Sequence, residues 1–382
     1  MLKHAIKGVL AILWMSFFAA GILPAADWQY GIVDPSGSGD FSSLRIDKYG
    51  NAHVAYLDEM VQFPGLPGIG VLKYGFWDRK LQRWFATVVD RGGGWSSLAL
   101  DSKQYPHISY NDNGNLKYAH WNGSSWQTQV IRVPSRRIEF YTSIALDAND
   151  NPSVSYYETA PPSDPIVFRL RVVSWNGEAW LLRVADPAHG SGKFNSMASD
   201  SAGKPQIAYA NVIYENSSLR YARWNGQSWD VEILEGKDNP VPMHSVALFT
   251  DKNDVPHIAY TDASKNLIKY ATRRDGKWQI ETVDSIVAEG FPDRNAIALD
   301  EQGNPYIGYC DAGLRQLKVA HRENQKWVVE TVDKSVPCFT PSVLVDQDSI
   351  LVTYGSRGQQ GGLRFARKSL RASTENSALV EK

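Results

Sequence analysis

Tyr141, His244 and Arg294 are the residues of this sequence whose types could do acid–base chemistry together: a histidine or tyrosine to take a proton, and a guanidinium to offset negative charge. Trp95, Tyr141 and Phe194 offer flat aromatic surfaces, and Asn195 and Asn295 offer amides. Aromatic platforms beside hydrogen-bonding side chains are the usual wall of a site for a sugar or another small polar ligand. Along the chain these residues recur at intervals of about 50, so no local element can gather them. Only a fold that returns to one place at each period could.

The phrase WNGSSW at 121–126 returns as WNGEAW at 175–180 and WNGQSW at 224–229. Asn-Gly between aromatic or β-branched flanks predicts a tight hairpin turn with positive φ at both central residues. A second block stands upstream, clearest as SSLALDSKQYPHISYND (96–112), SVALFTDKNDVPHIAYTD (245–262) and AIALDEQGNPYIGYCD (296–311). With the LKYA-like segment between them, one unit holds four short strands of alternating hydrophobicity, enough for one small sheet. The first strand recurs at Ser43, Ser97, Ser143, Ser196, Ser245, Ala296 and Ser342. The second carries Tyr56, Tyr110, Tyr156, Tyr209, Tyr260, Tyr309 and Tyr354, again seven copies. The fourth opens with Trp84, Trp126, Trp180, Trp229, Trp278 and Trp327, only six, and the seventh unit ends without one. The missing strand is WQYGIVD at 28–34, ahead of the first unit. An N-terminal strand that completes the last sheet closes a ring of sheets, whereas a linear solenoid has no use for it. The sequence therefore predicts an all-β, seven-bladed β-propeller with four-stranded blades, the closing blade built from 342–368 plus 28–34.

In such a ring the turns after strands one and three share one face, and here they are short and alike. The loops after strand two and the crossovers between units share the other face and vary freely: 59–70, 133–141, 159–168, 187–194, 236–243 and 285–294. Unequal loops on a rigid repeated scaffold are where a binding site is expected. Two residues before each repeat serine, the rim of the central channel reads Phe41, Trp95, Tyr141, Phe194, Met243, Arg294 and Thr340. One residue before, it reads Ser42, Ser96, Thr142, Asn195, His244, Asn295 and Pro341. The candidate binding set is thus Trp95, Tyr141, Phe194, Asn195, His244, Arg294 and Asn295, which either walls an open cup or plugs the channel. A second ring, two residues past each tyrosine, reads Asp58, Asp112, Glu158, Asn211, Asp262, Asp311 and Ser356. Its carboxylates could hold calcium or act as acid and base, although an aspartate closing a strand more often bonds its own turn. His53, His107 and His257 share one repeat position, so they are spaced around the ring and cannot ligate one metal. They read as structural, and the strand-four tryptophans read as seals between blades. No metal or other cofactor is expected.

With 382 residues, 43% hydrophobic and 12% aromatic, the chain can bury a large core, and the repeat accounts for residues 27–368 as one domain. The net charge of −1, without a basic stripe, speaks against nucleic acid or an anionic membrane as partner. Lys3 and Lys7 followed by the apolar run Gly8 to Ala26 predict a secretory signal peptide at 1–26, or an uncleaved anchor, and with it a secreted or periplasmic, monomeric protein. The polar residues 369–382 are expected to form a frayed tail. Cys310 and Cys338 both map to the variable-loop face, so they form either a disulfide or two buried thiols.

The phrases ALDxxGNPHIAYxD and LKYAxWNGxxW resemble those of secreted bacterial repeat proteins in the broad sialidase-like (BNR-type) propeller group, over about residues 28–368. The resemblance implies architecture. Sialidases carry S-x-D-x-G-x-x-W boxes before the last strand, whereas this chain has W-N-G-x-x-W without the Ser and Asp, so no catalytic residue is carried over. The expected function is an exported, non-catalytic binding propeller with a carbohydrate or an extracytoplasmic protein at the variable face. The alternative is a polysaccharide lyase or glycoside hydrolase using His244, Tyr141 and Arg294 at the channel mouth.

Overall fold

The computed structural model describes residues 27–36, 38–61, 69–132, 138–158, 168–213, 217–236, 243–287, 294–356 and 361–370. They form seven four-stranded antiparallel sheets and no helix. The first blade runs outward through Asp40–Ile46, Ala52–Val61, Ile69–Asp78 and Arg83–Arg91. The last consists of Phe339–Val345, Ser349–Ser356 and Gly362–Ser369, and its outer strand is Gln29–Asp34, paired from Gln29↔Arg367 to Asp34↔Leu363. The predicted ring closure is therefore present. The closing blade begins three residues before Ser342, at Phe339, and its third strand runs to Ser369, where Leu370 bonds the carbonyl of Asp348. The expectations for 1–26 and for 371–382 lie outside the described residues, as do loop stretches 62–68, 133–137, 159–167, 237–242 and 288–293.

Strand two of a blade is covered on both faces by its neighbours, and Pro256–Asp262 and Pro305–Asp311 are buried at every residue. The outer strand Arg83–Arg91 is largely exposed. The core accordingly lies between blades. Leu219 and Tyr221 of the fourth blade pack on Val246, Leu248 and Ile258 of the fifth, and Val33, Leu44 and Tyr56 pack on Leu351 and Leu363 across the closing seam. Each such side chain contributes about 1.5–3 kcal/mol by leaving water. Trp126, Trp180, Trp278 and Trp327 meet Tyr74, Tyr118, Tyr221 and Tyr270 of the preceding blades edge to face at 5.1–5.5 Å, so they seal the seams. Cys310 and Cys338 form a disulfide with Cα atoms 5.9 Å apart, stapling the sixth blade to the crossover leading into the seventh.

The WNG hairpins differ from the predicted two-residue turn. Trp121 pairs with Trp126, Trp175 with Trp180 and Trp224 with Trp229, each across a four-residue connection. Only the glycines are left-handed, at φ 101°, 99° and 108°. The asparagine instead turns its Oδ1 onto following amides, as Asn122 does with Ser124 and Ser125. The two-residue turn with both residues left-handed occurs at Asp275–Gly276 and at Asn324–Gln325, in two of the units that lack the WNG phrase.

The repeat tyrosines and the second ring of carboxylates prove to be one inter-blade device. Six tyrosine hydroxyls donate to the carboxylate that stands last or next to last on the outer strand of the preceding blade: Tyr56 to Asp34, Tyr110 to Asp90, Tyr209 to Asp186, Tyr260 to Glu235, Tyr309 to Asp284 and Tyr354 to Asp333, at 2.5–2.8 Å. A cation on strand three then joins that residue to the second ring: Lys73 reaches Asp34 at 2.8 Å and Asp58 at 2.6 Å, and Lys318 reaches Asp284 at 3.3 Å and Asp311 at 2.9 Å. Asp112 pairs with Lys117 and Glu158 with Arg171, while Asp262 accepts from Ser264 and Lys265 of its own turn. These contacts are structural. Among the described residues no group of three or more His, Cys, Asp or Glu is placed to hold a metal ion.

One seam breaks the pattern. The third blade follows an outer strand ending in Arg132 instead of a carboxylate, and among the described residues the buried hydroxyl of Tyr156 has no hydrogen-bond partner. Tyr156→Phe should therefore leave stability unchanged or raise it by up to about 1 kcal/mol, whereas Tyr354→Phe should lower it by about 1–3 kcal/mol. Urea unfolding of the two variants checks this, and equal losses would contradict the assignment.

Candidate functional site: the channel mouth

At the heads of the innermost strands the backbone leaves the ladder. Register shifts fall between Asp40 and Ser43, Gly94 and Ser97, Phe140 and Ser143, and Lys193 and Ser196. In each of these four bulges an aromatic residue is left-handed: Phe41 at φ 55°, Trp95 at 57°, Tyr141 at 64° and Phe194 at 52°. Such a backbone costs about 1–3 kcal/mol per residue and persists only where its surroundings hold it. Here the next blade holds it. The carbonyl of Phe41 accepts from Ser96 Oγ at 2.9 Å, that of Trp95 from Thr142 Oγ1 at 2.9 Å, and that of Tyr141 from Asn195 Nδ2 at 2.7 Å. The same clip joins Ser42 to the left-handed Thr340 and Asn295 to the left-handed Ser245.

Bulging turns the four rings out of strand alternation and lays them side by side around the mouth. Ring centroids are 4.1 Å apart from Phe41 to Trp95, 4.3 Å from Trp95 to Tyr141 and 4.6 Å from Tyr141 to Phe194. The imidazole of His244 continues the arc, 5.1 Å beyond Phe194. All five side chains are half-buried, so the arc keeps an accessible side.

Four of the seven residues predicted for the site thus come together: Trp95, Tyr141, Phe194 and His244, with Phe41 added. Asn195 and Asn295 lie beneath the rim instead, because their amides are the clips just described. Asn195 also accepts from Ser155 at 2.6 Å, and Asn295 donates to Thr261 at 3.0 Å. Arg294 turns inward, its Nη1 3.5 Å from the carbonyl of Phe41 and 3.3 Å from that of Ser96, across the channel.

His244 reaches the arc from a different register than the count from Ser245 predicted. In the other six units the inner-strand residue four positions before the turn aspartate is the repeat serine or Ala296; in the fifth, counting back from Asp251 gives Ala247. The structure agrees: Ser245 is the left-handed residue at φ 54°, Leu248 bonds Ser196 as its counterparts do, and His244 pairs with Thr261 ahead of the bulge. The turn aspartate was the better ruler, since its Oδ1 ties down the turn in every blade, as Asp251 does with Asn253 and Val255. Burial, with the nearby charge of Lys193, pushes His244 below the ordinary histidine range, so its imidazole is neutral near pH 7. The ring of Phe194 separates it from Tyr141.

Beneath the arc the repeat serines link the blades a second time. Their hydroxyl oxygens accept the amides of Leu44, Leu98, Ile144, Met197 and Leu248 from the following blade, at 2.9–3.2 Å, onto Ser342, Ser43, Ser97, Ser143 and Ser196 respectively. These serines surround a cavity of about 80 Å³ to which all seven blades contribute. A wider vestibule of about 530 Å³ opens on the opposite, short-turn face, away from the arc. Its turn aspartates are committed to their own loops, as Asp300 is to Gln302 and Asn304.

No protein-family model matches the sequence, and no curated protein does. Among solved structures the chain is similar to an ulvan lyase of family PL25 (TM-score 0.54, 11% identity, covering 89% of this chain and 94% of that one). It is also similar to the Aleuria aurantia lectin in complex with Fucα1-6GlcNAc (TM-score 0.51, 13% identity, 78% and 99% covered). A Hadza microbial sialidase follows (TM-score 0.50, 10% identity, 81% and 78% covered). At such identities the likeness concerns the fold. By architecture, then, this chain is a seven-bladed β-propeller, and the likeness to these structures is one of fold.

Proposed function

We propose that the protein is an exported, non-catalytic binding propeller that takes a carbohydrate on the aromatic arc of the channel mouth. The observation that carries this reading is the arc itself. Four consecutive blades place an aromatic residue at the left-handed bulge that Thr340 and Ser245 occupy in two others, each ring touching the next, although the bulge itself does not require an aromatic. Contiguous half-exposed rings stack on the apolar faces of sugars, and the neutral His244 at the end of the arc supplies a hydrogen-bonding edge. Lectins, polysaccharide lyases and a sialidase among proteins of the same fold support a carbohydrate as the ligand class. The disulfide supports an oxidising compartment, and none of the described residues forms a membrane-crossing helix.

The expectation is that a glycan array finds a ligand, and that calorimetry with that ligand shows about ten-fold or greater weakening in Trp95→Ala and in Tyr141→Ala. An empty array, or affinity unchanged in both variants, counts against the reading. The lyase or hydrolase alternative draws on one observation, a neutral imidazole able to accept a proton. Release of ultraviolet-absorbing unsaturated oligosaccharides from uronate polymers, abolished by His244→Ala, would favour it instead.

A further inference from the structure

Two guanidiniums share the interior of the ring. Arg294 reaches across the channel toward backbone carbonyls, and Arg45, from the innermost strand of the first blade, bonds the carbonyl of its neighbour Leu44 at 2.7 Å. Both line the 80 Å³ cavity on the axis. Arg45 has protein on every side yet is exposed to solvent, which places its side chain in the water of the channel. Neither arginine forms an ion pair with a described carboxylate, although every strand-three lysine and arginine at the seams named above does. Arginine does not shed its proton in proteins, so the two charges must coexist in one channel. Burial, and then the charge of Arg45, push Arg294 down to about 10.

Two like charges held close together in one channel repel each other and attract a counter-ion. The five repeat serines around the cavity accept an amide each, and among the described residues none of them donates its own hydrogen to a protein acceptor. Serine hydroxyls lining the same cavity as two guanidiniums that have no carboxylate among the described residues suit one chemical class. We propose that the channel holds a small tetrahedral oxyanion, sulfate or phosphate, between Arg45, Arg294 and the serine hydroxyls. The cavity is large enough, since one water needs only about 10–15 Å³ of such space. The inference is independent of the carbohydrate reading: it concerns the axis below the arc and uses none of the arc's rings. The vestibule on the short-turn face has six carboxylates against three cations in its lining. That field disfavours an anion most at low ionic strength, so binding is compared at matched ionic strength.

The test is thermal unfolding of the whole protein with sulfate, phosphate or chloride at matched ionic strength, beside calorimetric titration of sulfate into the wild type. The melting temperature should rise saturably with sulfate or phosphate across the millimolar range, and the titration should show one site. In Arg45→Gln and Arg294→Gln affinity should fall about ten-fold or more. In chloride each variant should melt no lower than the wild type, because half of a like-charge pair is gone. A linear rise equal in all three proteins is generic salting-out and overturns the proposal. So does a wild-type titration without saturable heat, which does not depend on how the variants fold, or saturable binding that survives in both variants.

Discussion

Lys73→Ala is expected to lower the stability of the ring by about 3–5 kcal/mol and to free the N-terminal strand first. Lys73 holds two carboxylates at once, Asp34 on that strand and Asp58 on its own blade, and their side chains are only 9% and 1% exposed. Burial works against the charge on Asp34, but hydrogen bonds from Lys73 and Tyr56 hold it below the ordinary carboxylate range. Without the ammonium, two buried negative charges face each other around one tyrosine hydroxyl, and removing one partner of a buried pair is the costly case. The equivalent Lys117→Ala should cost less, because Asp90 and Asp112 are 21% and 23% exposed and water replaces part of what is lost. Adding Asp58→Asn to Lys73→Ala should recover much of the loss. Denaturant unfolding gives the energies, and hydrogen exchange of amides 29–34 shows whether the seam opens before the rest. A loss under about 1 kcal/mol would mean that the network contributes little.

Acid should unfold the protein early, and histidines should be the cause. Three of them sit in one arrangement. Nδ1 lies 2.6, 2.6 and 2.5 Å from the hydroxyl of Tyr74, Tyr118 and Tyr270 for His53, His107 and His257. Nε2 faces Asp47, Asp101 and Asp251 at 3.4–3.7 Å. Burial pushes each below the ordinary histidine range despite its aspartate, and His244 is pushed the same way. The unfolded chain therefore binds protons first. Stability is fully present above the unfolded value near 6.5 and is lost as pH falls from there toward the lower folded values, by up to about 1.4 kcal/mol per pH unit for each histidine. Three together make up to roughly 4 kcal/mol per unit, a large share of a typical domain's stability. The fourth blade supplies the control, since Gln206 occupies the same repeat position and accepts from Tyr221 at 2.5 Å without titrating. Replacing all three histidines by glutamine should keep the fold and flatten the dependence of unfolding energy on pH between about 8 and 5. An equally steep dependence in that variant would assign the acid sensitivity to the carboxylates instead.

How far the site could be read in advance differed from residue to residue. Trp95, Tyr141 and Phe194 were legible because they hold one position in consecutive repeats, and a ring maps equal positions to equal heights. His244 was found through a miscounted register, since the serine at 245 imitates the repeat serine while the turn aspartate places the equivalent residue at Ala247. Asn195 and Asn295 look like binding amides in any linear reading. Only the neighbouring blade reveals that they hold the carbonyls of Tyr141 and Ser245.

The chain by itself determined the number of blades, the offset closure and the short-turn face, because these follow from counting hydrophobic strands and turn residues, which are local properties. Tertiary structure alone decided the left-handed bulges, the inward course of Arg294 and the pairing of the second carboxylate ring with lysines and arginines. The bulges and Arg294 depend on hydrogen bonds with other blades, and the carboxylate pairing on a cation of the next strand that the fold also brings to the neighbouring blade, as Lys73 is brought to Asp34.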